Sequence, residues 1–251
     1  FSMGQSYTPE KQKTKSSCLQ PKDTTWKNLS LREKIGQTML MLPNREAELR
    51  LGEGSLDTFF DRYPVTGFFM GWKLFTGVPD SERVDLVRRS VEEYQAASGL
   101  PLVFQQDYES GVGLQGMTPF PKEMALGATD SPELAYRYGK SVGLECRSLG
   151  ITWVLHPVAD ININPLNPIT NTRSISDDPD KAIRLLAQQI KGLQEHGVAA
   201  TIKHFPGDGG DYSDQHLRTP TNSLSRAAWE ASHGKDIRQL IKEGVAGIQP
   251  G

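Results

Sequence analysis

Residues 196–210 read HGVAATIKHFPGDGG, and the apolar run from Val198 to Phe205 within them decides the fold. The run does not alternate strictly between apolar and polar, which is the pattern of a parallel strand covered on both faces. A helix-length segment precedes it. Asp178-Pro179 supply a start signal, Ile183, Leu186, Ile190 and Leu193 share one face, and Gly197 supplies a stop. A helix followed by a doubly covered strand is the repeating unit of an α/β fold with right-handed crossovers.

The unit recurs outward from this point. Further strand candidates are Val65–Met70, Pro101–Asp107, Ile151–Asp160 and Val245–Gln249. Ser30-Leu31-Arg32-Glu33 has the form of a capping box, with Leu31, Ile35 and Met39 on one helical stripe. Ser131-Pro132 opens a helix that runs to Leu149 before Gly150, and a last helix spans Leu224 to Glu243 before Gly244. This order fits an open doubly wound sheet or a (β/α) barrel. The first strand-to-helix turns lack a G-x-G-x-x-G or Walker pattern, which counts against nucleotide binding. Polar residues gather at successive strand ends: Asp107 and Glu109, His156 and Asp160, Lys203 and His204, then Gln249. In barrels that rim is where sites are built. The expected fold is α/β, a TIM-type (β/α)8 barrel of which this chain supplies about the first five strands. Residues 24–251 form this incomplete barrel domain, and residues 1–23 form a mobile, polar N-terminal tail.

The bulk composition narrows the function. With 251 residues and 37% hydrophobic content the chain can bury a core. Its 28 basic and 30 acidic residues give a net charge of −2 without blocks of either sign, which argues against a nucleic-acid or anionic-membrane partner. There is no apolar run long enough to span a membrane. Cys18 and Cys146 are too few and too far apart for a zinc set, and a disulfide is not expected. A polar opening stretch is also what removal of an export signal leaves, so the compartment stays open with a lean to outside the cytoplasm.

The stretch TIKHFPGDGGDYSDQH, residues 201–216, concentrates the titratable groups. Asp208, Asp211 and Asp214 are three apart, which misses the alternate-residue spacing and distal glutamate of an EF-hand. His204 and His216 have no cysteine support and no H-E-x-x-H around them, so zinc fits worse. Acid–base catalysis by Asp214 and His216 remains. Residues two apart on an extended segment point the same way, so the carboxylate can fix the tautomer of the imidazole. Gly207, Gly209 and Gly210 are expected to let the loop swing this pair over a pocket.

Lys203-His204-Phe205-Pro206-Gly207, a Gly-rich loop and Asp214-x-His216 together resemble the K-H-F-P-G-H-G-x(n)-D-S-H signature of glycoside hydrolase family 3, in its β-N-acetylglucosaminidase branch. Asp107 in FQQDYESG resembles the family's V-D-Q-E-G-G strand end. Asn171-Thr172-Arg173-Ser174 with Asp178-Pro179 resembles its G-x-R-S-x-x-x-D-P segment, and Ser30–Leu42 resembles its first helix. The resemblance covers about residues 24–251. It implies a TIM barrel that removes a terminal β-linked sugar with retention, through a covalent glycosyl-enzyme intermediate. By position Asp214 would orient His216 as general acid/base, while Asp107, Arg173, Lys203 and His204 would hold the sugar hydroxyls. No cofactor and no metal are implied. Lys203 and His204 are adjacent, so both can face the sugar only if the strand ends irregularly, which Pro206 favours.

The chain departs from the pattern at three places. The glycine-histidine-glycine of the signature is here Gly207-Asp208-Gly209, and the arginines that follow E-G-G are missing from Glu109–Gln115. The nucleophile, an aspartate in relatives, is expected on a strand end beyond Gly251, with the rest of the barrel possible as a separate segment. The leading expectation is an exo-acting retaining β-N-acetylhexosaminidase acting on a small terminal N-acetylglucosaminide. A β-glucosidase or an N-acetylglucosaminide phosphorylase on the same fold is the alternative. A catalytically inactive carbohydrate-binding fragment is the alternative of another class.

Overall fold

The computed structural model describes residues 26–251; the expected tail, residues 1–23, lies outside them. The first half of the described chain holds α1 (Leu31–Gly36), β1 (Leu40–Met41), α2 (Arg45–Leu51), α3 (Leu56–Arg62), β2 (Gly67–Phe69), α4 (Arg83–Ala97) and β3 (Val103–Gln106). The second half holds α5 (Glu123–Thr129), α6 (Pro132–Leu149), β4 (Trp153–Val154), α7 (Pro179–Glu195), β5 (Ala199–Phe205), α8 (Arg226–Ala231), α9 (His233–Lys242) and β6 (Gly247–Pro250). The six strands are parallel and pair in chain order, β1 to β6, as one curled half-barrel. This is the TIM-type architecture expected, with one strand more than the sequence suggested.

The extra strand is β1. Ser30 and Glu33 do form a capping box, with the Ser30 amide donating to Glu33 Oε2 at 2.7 Å. The helix they start ends at Gly36, so Met39 does not continue its stripe and Leu40–Met41 pair with Gly67–Phe68. The helix expected over Leu224–Glu243 is two helices, broken at Ser232, whose φ of −119° and ψ of −104° are not helical. The strand expected over Ile151–Asp160 keeps ladder pairing only at Trp153–Val154. Beyond it the chain runs irregularly to Asp160, bridging once from Val158 to Lys203.

α6 and α7 pack so closely that side chains are excluded between them. A Cβ at Gly139 would overlap the Gln189 carbonyl, and one at Gly192 would overlap the Tyr136 carbonyl. Either glycine changed to alanine would force the two backbones apart. α6 starts with Ser131 accepting from the Leu134 amide at 3.2 Å and ends at Gly150 in the left-handed region. The core is continuous from Phe59 and Phe68 on one side to Ile202 and Leu240 on the other. Within it Phe68 stacks on Tyr94 at 4.1 Å, and the Tyr94 hydroxyl donates to the buried Glu48 at 2.7 Å. No helix of the described residues is long and apolar enough to cross a membrane.

Candidate active site

The C-terminal ends of β3 and β5 and the loop after β4 bring charged side chains together. Lys203, on β5, is almost wholly buried and donates to Asp107 Oδ1 at 2.8 Å, with Glu109 Oε1 at 2.6 Å. Arg173 grips Glu109 with two hydrogen bonds, Nε to Oε2 at 2.8 Å and Nη2 to Oε1 at 2.7 Å. Burial alone would push the Glu109 carboxyl up. The Arg173 hydrogen bonds and the Lys203 charge outweigh it and hold the carboxyl down at about 2. Arg173 Nη2 also lies 3.4 Å from His204 Nε2.

The four residues expected to hold a sugar, Asp107, Arg173, Lys203 and His204, therefore form one cluster. Lys203 and His204 both reach it at the point where the pairing of β5 with β6 becomes irregular, between Lys203 and Phe205. Arg173 does not bridge to Asp177 or Asp178; its partner is Glu109. Two further members, Glu109 and Asp160, stood out in the sequence only as polar residues at strand ends, without an assigned role. Glu109 follows Asp107 by two positions, and its strand-end placement was the only signal in the sequence. Asp160, fully buried, accepts from His204 Nδ1 at 2.7 Å and from the Asp208 amide at 2.7 Å.

Asp214 and His216 also meet, but apart from this cluster. Asp214 Oδ1 accepts the His216 amide at 2.8 Å and lies 2.8 Å from His216 Nδ1. These two contacts hold the Asp214 carboxyl below the usual range. The His216 ring is 76% exposed, and no hydrogen bond or ion pair among the described residues joins the pair to Lys203, Arg173 or His204.

The glycines do not all serve to swing the loop, as the sequence suggested. A Cβ at Gly207 would run into the His233 ring, and one at Gly209 into the Ile161 carbonyl. The loop base is also pinned by side-chain amides: Asn222 Nδ2 donates to the Gly207 carbonyl at 3.3 Å, Asn167 Nδ2 to that of Asp208 at 2.6 Å and Asn164 Nδ2 to that of Asp211 at 2.9 Å. Only Gly210 faces open space. The base of the loop is fixed as far as Asp211.

Asp160, His204 and Asp208 place ligand atoms within 4.8 Å of one another, the one such group among the described residues. His204 Nδ1 is already engaged by Asp160, so a cation there would have to displace a ring proton. Asp208 itself is strained electrostatically. Burial, then the nearby Asp160, pushes its carboxyl up to about 6, against the pull of His204. The unfolded chain ionises this group near 3.8, so folding takes up a proton between those values and stability falls as pH rises from about 4 to about 6. Part of the hydration is retained, which limits the relief to about 1 kcal/mol. Asp208→Asn is expected to raise Tm at pH 7.5 by about 2–4 °C and to lose that advantage at pH 4 in calorimetry.

Sequential parallel strands with a charged cluster at their C-terminal ends define a (β/α)-barrel domain with its site on the usual rim. The chain belongs to glycosyl hydrolase family 3, whose N-terminal-domain model matches residues 30–251. It is similar to a beta-N-acetylglucosaminidase/beta-glucosidase of Cellulomonas fimi, 38% identical over 164 residues, which cover 64% of this chain and 29% of that protein. Among solved structures it resembles the family 3 beta-N-acetylglucosaminidase of Paenibacillus sp. str. FPU-7, with a TM-score of 0.74 and 29% identity over 89% of this chain and 42% of that one. A beta-glucoside phosphorylase superposes with a TM-score of 0.73 and 29% identity, covering 88% and 37%. The chain thus spans less than half the length of each of these proteins.

Proposed function

We propose that the protein is an exo-acting retaining glycoside hydrolase that removes terminal β-linked N-acetylglucosamine. The observation that carries this reading is the convergence of Asp107, Arg173, Lys203 and His204, from three separate segments, on one charged cluster in a chain of this family. Charged donors and acceptors give short hydrogen bonds to sugar hydroxyls, and fixed ones give them a defined orientation.

In this reading a carboxylate on a strand beyond β6 attacks the anomeric carbon while His216 gives its proton to the departing glycosidic oxygen. The glycosyl ester that forms is then cut by water, whose proton returns to His216. Asp214 keeps Nδ1 of His216 protonated, so Nε2 is the nitrogen that exchanges the proton. An imidazole in this role sets no permanent negative charge against an incoming anion. Phosphate can then replace water as acceptor, and the superposition on a phosphorylase favours keeping that second reading.

The test is turnover of nitrophenyl β-N-acetylglucosaminide by the intact protein, followed by NMR of the first product. The β-anomer is expected, released faster than glucose from the matching glucoside. Sugar 1-phosphate formed on adding phosphate would establish phosphorolysis. An α-anomer as first product, or binding without turnover of either glycoside, would overturn the proposal.

A further inference from the structure

One buried carboxylate reaches two parts of the site at once. We propose that Asp160 is a positioning residue that fixes His204 as the tautomer with a bare Nε2 and ties that ring to the base of the loop carrying His216. The proposal rests on the glycosidase reading for its effect on substrate, but not for its claim about the ring.

Asp160 lies at the end of the irregular segment after β4 and is 1% exposed. Its Oδ2 accepts from both His204 nitrogens within reach, Nδ1 at 2.7 Å and the backbone amide at 3.3 Å. Its Oδ1 accepts from the Asp208 amide at 2.7 Å. A carboxylate offers only lone pairs, so the ring proton has to sit on Nδ1. The other side of the ring demands the same arrangement. Nε2 faces Arg173 Nη2 at 3.4 Å, and a guanidinium has only protons to offer. An Nε2–H there would set donor against donor.

Arg173 in turn is gripped twice by Glu109, which receives Lys203, which also holds Asp107. Acceptors and donors therefore alternate without a break from Asp160 through His204, Arg173, Glu109 and Lys203 to Asp107. Asp208, whose carboxylate stands 3.7 Å from His204 Nδ1, is a further charge on the Asp160 side of the ring. It too favours a proton on Nδ1. A sugar hydroxyl meeting Nε2 therefore meets an acceptor whose one lone pair it must share with, or take from, Arg173.

The same carboxylate sets where the loop begins. With its amide bound to Asp160 and its carbonyl to Asn167, Asp208 is fixed at both ends of its backbone. Gly209 presses against the Ile161 carbonyl next to Asp160. The segment 160–167 therefore acts as a bed for residues 207–211.

The test is 15N NMR of the His204 ring at pH 8 in the intact protein, assigned by loss of its signals in His204→Gln. The expected wild-type pattern is a protonated Nδ1 and a bare Nε2. In Asp160→Asn an amide faces either the ring or the Asp208 amide, so the pattern is expected to reverse or average, and KM to rise about 10- to 100-fold with kcat changing less. Asp160→Glu, which keeps the charge but not the reach, should restore little. A wild-type Nε2–H ring, a doubly protonated ring at pH 8, or an Asp160→Asn variant with unchanged ring signals and KM overturns the proposal. With that assignment in hand, the wild-type spectrum decides even if the Asp160 variants fail to fold. An Nδ1–H ring in a protein that turns over no glycoside would leave this inference standing and remove the glycosidase reading instead.

Discussion

In the intact protein, His216→Ala is expected to lower kcat for glycosides with poor leaving groups by about 10²–10⁴-fold, the range a positioned general acid supplies. The sign and size follow from which nitrogen can move a proton. Asp214 Oδ1 holds Nδ1, and the exposed ring leaves Nε2 free to meet a glycosidic oxygen. A nitrophenolate departs without help, so for nitrophenyl substrates the first step should slow little. The second step, in which the ring takes a proton from water, becomes limiting, and the glycosyl-enzyme accumulates as a burst. Asp214→Asn keeps the bulk of the side chain but removes the charge that pins the tautomer, so a smaller loss with the same dependence on leaving group is expected. The measurement is a series of aryl glycosides of graded leaving-group pKa. An alanine variant within about threefold of wild type across that series would show that the dyad is not the acid/base.

The fold was legible wherever the chain carries its own punctuation. Ser131-Pro132 and Gly150 bracket α6, and Asp178-Pro179 opens α7, because each supplies a cap or a fixed φ that local chemistry alone decides. β1 was not legible. Leu40–Met41 is too short to show a period of two, and Met39 continues the spacing of Leu31 and Ile35 although the helix has ended. The break at Ser232 was hidden because the contacts flanking it are distant in sequence: Trp229 Nε1 donates to the Pro206 carbonyl at 2.6 Å and His233 Nδ1 accepts from the Ile161 amide at 3.2 Å.

The site divides in the same way. Lys203, His204, Arg173 and Asp107 could be picked out because each sits in a short motif. The role of Asp160 depends on partners 44 and 48 residues away, and nothing near it in sequence says that its two oxygens meet them. Glu109 is an intermediate case. It stands beside Asp107, but only the fold shows that Arg173, 64 residues on, grips it rather than a nearby aspartate. Gly207 and Gly209 mislead for the opposite reason. Glycine permits motion and also permits close approach, and only the position of the His233 ring and the Ile161 carbonyl tells which is used.

Lys203→Met is expected to cost about 3 kcal/mol of stability, at the low end for breaking a buried ion pair. The lysine side chain is 3% exposed and its ammonium lies 2.6 Å from Glu109 and 2.8 Å from Asp107, so its removal uncovers negative charge that water cannot easily reach. The loss stays at the low end because Glu109 keeps its two bonds from Arg173 and Asp107 is half-exposed. For a chain of this size that is a fall in Tm of roughly 6–12 °C. The pH dependence carries the distinguishing sign. Glu109 ionises at about 2 when folded against 4.5 in the open chain, so its contribution is complete above pH 4.5 and is lost as pH falls toward 2. Without Lys203 the folded value moves back up and that window narrows. The gap in Tm between wild type and variant should therefore be widest at neutral pH and close progressively below pH 4.5 in scanning calorimetry. A gap that is constant with pH would mean that Lys203 stabilises through the packing of its stem and not through its charge. Arg173 alone would then account for the low value at Glu109, and the continuous chain of charges from Asp160 to Asp107 would end at Glu109.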